Sequence, residues 1–74
     1  MSWDYRVIES GGTFTIHEVH YNDKDAITAI SEEPMGPSGQ TLEELKDDVE
    51  YFLRALTMPV LRREEITFAP MDGK

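Results

Sequence analysis

His17-Glu18-Val19-His20 is the one cluster in this chain whose side chains could hold a metal or exchange protons. In a regular strand the side-chain period is two, so His17 and His20 point to opposite faces. They share a metal only if a bulge re-aims the chain between them. Glu18 and His20 do share a face, beside Tyr5 and Trp3, and form a candidate acid–imidazole pair. Ordinary strand-end hydrogen bonding is the favoured reading of this cluster, because perturbed polar pairs are often structural. A small metal-binding protein or enzyme using His17, Glu18 and His20 is the alternative, and no cofactor is expected.

The other chemical motifs are weaker. Gly36-Pro37-Ser38-Gly39 before a helix resembles an anion-binding loop. No lysine follows, however, and Glu43 and Glu44 would repel an anion there. Arg62-Arg63 is followed by Glu64 and Glu65, which reads as a solvated turn. Neither Ser31 nor Ser38 sits in a nucleophile-elbow context. Magnesium-dependent hydrolysis needs convergent carboxylates, and strand pairing puts Asp4 on the face opposite Glu9 and Glu18. No catalytic residues are therefore assigned, and the chain is not expected to be an enzyme.

What positions these residues begins with size and charge. Seventy-four residues, 1–74, make a single small domain, and a chain this short buries only about 60–65% of its unfolded surface. Disulfides are excluded because there is no cysteine, which leaves self-association as a source of added stability. No apolar run approaches the roughly 18 residues of a membrane span, and the N-terminus lacks a signal-peptide core. A cytoplasmic location is expected, with no membrane partner. The net charge of −8 repels polyanions, so no nucleic acid is expected to bind the chain on its own. A basic protein partner suits that field.

Thr41 to Thr57 reads as an amphipathic helix. Thr41 and Glu44 form a capping box, and Leu42, Leu45, Val49, Phe52, Leu53 and Leu56 recur at three- and four-residue steps on a face expected to meet the core. Pro59 ends it. Ahead of it, Trp3 to Glu9 and Thr13 to Tyr21 are strands joined at Gly11-Gly12, a hairpin signal. Pairing Ser10 with Thr13 sets Val7 against Ile16, Arg6 against His17 and Tyr5 against Glu18. One face then gathers Trp3, Tyr5, Val7, Phe14 and Ile16 for the helix. Val19 and Tyr21 break that parity, so either both faces are covered or a bulge lies near His17-Glu18. Asn22 to Asp25 is a turn, Ala26 to Ser31 a third strand, and Glu33 to Gln40 a loop. Glu65 to Ala69 is a candidate fourth strand around Ile66 and Phe68, and Pro70 to Lys74 a frayed tail. The fold class is α+β: a three-stranded antiparallel meander packed on one helix, with room for that short fourth strand.

Tyr5-Arg6-Val7-Ile8-Glu9, Gly11-Gly12-Thr13-Phe14, Gly39-Gln40-Thr41-Leu42-Glu43-Glu44 and Val49-Glu50-Tyr51-Phe52-Leu53 carry a resemblance to the HicB-like antitoxin domain. That domain is a β-β-β-α unit related to part of the ribonuclease H fold. The chain is more similar still to short bacterial proteins of the same type, of unestablished function. These share Trp3 to Val7, His17-Glu18-Val19 and the Pro-x-x-Pro-x-Gly-x-Thr pattern of Pro34 to Thr41. The likeness spans roughly residues 3 to 61. It implies the β-β-β-α fold and a non-catalytic domain that works by binding a toxin. Asn22 to Asp25 replaces the usual Pro-Gly-Cys-like corner, and no C-terminal DNA-binding domain is expected.

The functional expectation is thus a protein-interaction module, antitoxin-like without a DNA-binding domain. A homodimer is also expected, formed through the second sheet face. Apolar residues occur at both parities, and Ile8, Val19 and Ile30 would make the exposed interface patch.

Overall fold

The computed structural model describes residues 2–70. Gly11 and Gly12 both take positive φ, 59° and 86°, the conformation a tight turn needs to match the twist of its flanking strands. The Glu9 carboxylate accepts the Gly12 N–H at 2.9 Å. Strands β1 (Ser2–Ser10) and β2 (Thr13–Tyr21) pair around this turn without interruption. The expected register holds throughout, including Val7 with Ile16, Arg6 with His17 and Tyr5 with Glu18.

Asn22 makes the next corner. Its side-chain oxygen accepts the N–H groups of Lys24 (2.9 Å) and Ala26 (3.1 Å), a local substitute for backbone pairing. Asp25 takes φ 61° there. Strand β3 (Ile27–Ile30) then returns antiparallel to β2, with Val19 opposite Ile30 and Tyr21 opposite Ile27. The register shifts between His20 and Tyr21. The bulge thus lies between β2 and β3, with Thr28 as the extra residue, rather than near His17-Glu18.

Helix α1 (Leu42–Ala55) starts at Thr41, whose hydroxyl accepts the Glu44 N–H at 3.1 Å. The Glu44 carboxylate reaches one residue further back than a capping box requires and takes the Gln40 N–H at 3.0 Å. Gly39 is packed against this first turn: a Cβ there would lie 2.5 Å from the Leu45 backbone nitrogen. After the helix, Leu61–Arg62 forms β4, parallel to β1, and Arg63–Glu65 makes a 3₁₀ turn. The sheet order is β3-β2-β1-β4. The molecule is therefore α+β, a mixed four-stranded sheet with one helix. No helix among the described residues is long and apolar enough to cross a membrane.

Three expectations need correction. The fourth strand is not Glu65 to Ala69 but Leu61–Arg62, and it is parallel. Residues 66–69 instead form a strap that crosses the sheet, where the Ala69 N–H reaches the Ile27 carbonyl at 2.7 Å. In consequence Ile8 and Val19 are not an exposed patch: they are 2% and 0% accessible within one chain, and Ile30 is half-buried. Intramolecular cover, not a second subunit, explains the apolar residues at both parities. Finally, the helix stripe does not all face the core. Phe52 stacks on Tyr5 with ring centroids 4.3 Å apart, and Ala55 is buried beside it on the same side of the helix, but most of the remaining stripe is in water. The frayed tail expected from Pro70 onward falls at 71–74 outside the described residues.

Candidate functional site

The regular pairing of β2 decides the geometry of the histidines. His17 stands opposite Arg6 and His20 opposite Trp3, so the two imidazoles point to opposite faces. His17 lies on the strapped face. Its Nδ1 is 2.9 Å from the Ser31 carbonyl and its Nε2 is 2.9 Å from the Thr15 hydroxyl. A carbonyl only accepts, so Nδ1 carries the proton of the neutral ring and Nε2 accepts from Thr15. A hydroxyl held by an imidazole is the first half of a nucleophile–base pair. The group behind the ring is here a carbonyl, which cannot balance an imidazolium as a carboxylate does. The chain of bonds ties β2 to the end of β3. An open groove of about 610 Å³ adjoins it, lined among others by Ile8, Thr15, His17, Arg63 and Phe68.

On the other face, the His20 Nε2 is 3.3 Å from the Glu18 carboxylate, with side chains 42% and 31% accessible. Water screens a pair this exposed, which limits its worth to under about 1 kcal/mol. Among the described residues no group of three or more His, Cys, Asp or Glu side chains converges to hold a metal. Glu18 and His20 are thus brought together, and His17 is held apart from them.

In the loop before the helix, backbone N–H groups are taken by the chain's own carboxylates, as a turn and cap require. The Ser38 N–H donates to an Asp48 carboxylate oxygen at 3.0 Å, and the Gln40 N–H to Glu44. Arg62 is likewise engaged, 3.9 Å from Glu9, 3.5 Å from Glu64 and 3.8 Å from Glu65. The Arg63 guanidinium sits over the Phe68 ring at 5.2 Å.

Residue spacing alone does not point to the network around Tyr21. Its hydroxyl donates to Asp4 at 2.7 Å and accepts from Arg6 at 3.1 Å. Arg6 also donates to the Pro59 carbonyl at 2.9 Å, fixing the helix exit against β1. Burial and the Asp4 carboxylate raise the Tyr21 pKa, partly opposed by Arg6. The Tyr5 pKa is also raised, first by burial and then by Asp48 and Glu18.

The largest unaccounted feature is the helix itself. Leu42, Val49, Leu53 and Leu56 are 82%, 37%, 55% and 63% accessible. At about 100° per residue they centre roughly 90° around the helix from the buried side at Phe52 and Ala55. Three anchors set this roll: the Phe52–Tyr5 stack, the Ser38–Asp48 bond and the Arg6–Pro59 bond. Leu42, Val49, Leu53 and Leu56 can be singled out by period in the sequence, but not as exposed. Phe14 and Val60 are also exposed and line one shallow depression together. No family model matches the chain, and no curated protein or solved structure matches it either.

Proposed function

We propose that this chain is a non-catalytic protein-interaction module that binds through helix α1. The observation carrying this reading is the exposed flank of Leu42, Val49, Leu53 and Leu56. Together these side chains leave on the order of 400 Å² of apolar surface in water, in the range of a monomer's largest patch, which is often a functional one. Catalysis would need a polar set converging on a pocket. The flank instead offers shape and apolar area.

The acidic side of the same helix, with Glu43, Asp47 and Glu50, favours a basic protein when the partner is another protein. The antitoxin-like role implied by the HicB-like resemblance is in keeping with this, since such a domain acts by binding. A cytoplasmic location suits a chain without cysteine.

The test is recovery of the tagged protein from its native host. A protein partner should accompany the wild type and be lost with Leu53→Asp/Leu56→Asp. At dilute protein the variant's circular dichroism should stay unchanged, because both side chains sit in water within one copy. Equal recovery of the same proteins by both forms would remove α1 as the binding surface.

A further inference from the structure

We propose that the exposed flank of α1 pairs with the same flank of a second copy, the two helices running antiparallel about a two-fold axis at Val49. This rests on the reading of α1 as a binding surface and names its partner.

The spacing of the flank supports self-pairing. Leu42, Lys46, Val49, Leu53 and Leu56 follow one another at steps of four, three, four and three residues. That is the 3.5-residue period of a helix–helix seam. The set is also nearly symmetric about Val49. Inverting it sets Leu42 against Leu56 of the other copy, Val49 against Val49, and Lys46 beside Leu53.

Charge points the same way, although the chain carries a net −8. Glu43, Glu44, Asp47 and Asp48 all lie more than about 90° from the centre of the flank on a 100° helical wheel. Pairing therefore keeps them apart and in water. Lys46 is the one charged residue on the seam, and it has no ion-pair partner among the described residues. In the antiparallel arrangement Glu50 of the second copy comes within about two residues, roughly 3 Å, of the level of Lys46. The symmetry makes that pair twice. A second copy brings this acid with it.

Area sets the strength. An apolar patch on the order of 400 Å² per copy, widened by the stems of Lys46 and Glu50, belongs at the small end of specific interfaces. The dimer should accordingly depend on concentration.

The test combines mass with cross-linking. Light scattering after size exclusion, from micromolar to millimolar protein, should show the mass climbing from 8.5 kDa toward twice that value. The chain has no cysteine, so Val49→Cys should form an inter-chain disulfide on mild oxidation, while Asp47→Cys on the acidic side should not. Leu53→Asp should hold the mass at 8.5 kDa. A mass that stays at 8.5 kDa up to millimolar protein overturns the second copy. Because the wild type is measured there, that result leaves host recovery to decide whether α1 binds another protein. Asp47→Cys cross-linking as readily as Val49→Cys also overturns the pairing, even if Leu53→Asp fails to fold.

Discussion

Tyr21 shows how a single hydroxyl joins distant parts of the chain, and its pKa says when that joint fails. The protonated phenol donates to Asp4 and is partly buried, so folding favours it over the phenolate and raises the pKa above the ordinary value of 10.0. A raised pKa contributes stability that is complete below the unfolded value and is lost as pH rises through the folded one. Tyr5 acts in the same direction. Urea midpoints measured across alkaline pH should hold below about pH 10 and then fall. Tyr21→Phe should be less stable at neutral pH, where Asp4 and Arg6 lose their partner, and should show a shallower alkaline decline. Parallel declines in the two proteins would remove Tyr21 as a cause. At this scale the sequence made the opposed faces of His17 and His20 legible, because a strand's period of two suffices. The same period places Thr15 beside His17, whereas Ser31 as its other partner was hidden, since it arrives at the end of β3, whose bulged register no local pattern fixes.

Helix α1 exists because its local signals agree. Thr41 provides the acceptor at the start, apolar residues recur with helical period, and Pro59 follows the end. Thr41→Ala should lower stability by about 1 kcal/mol, the usual worth of such a cap, read as a shift in the urea midpoint. No change would mean that the Glu44–Gln40 bond alone secures the first turn. The roll of the helix was a different matter. Its apolar arc, counting Ala55, is wider than the sheet beneath can cover, and periodicity says nothing about which half is buried. Contacts from Tyr5, Ser38 and Arg6 decide it. The fourth strand failed for a related reason: two residues, Leu61–Arg62, carry no period. The alternation around Ile66 and Phe68 belongs to a strap, where those residues line open grooves together with Ile27 and Ile30 respectively.

At the scale of the whole molecule, the sheet is covered on one face by the helix and on the other by residues 63–69. That second cover protects Ile8 and Val19, the largest fully buried side chains, each worth roughly 1.5–3 kcal/mol when removed from water. Small domains have little stability to spare. A chain ending at Val60 should therefore lose cooperative thermal unfolding, measured by circular dichroism. A sharp melt in that shortened chain would show that the strap is dispensable and the hairpin with α1 is self-sufficient. The position of β1 has a consequence in time. It is made first, yet it is an interior strand whose second neighbour, β4, begins at Leu61. During synthesis the β1–β2 hairpin is complete at Tyr21, and at roughly 5–20 residues per second its open edge waits about 2–8 s for that neighbour to be translated. Throughout that interval the nascent chain offers another polypeptide a free strand edge with Ile8 beside it, so crowding on the ribosome is a greater hazard to this protein than to one whose first strand lies at the rim.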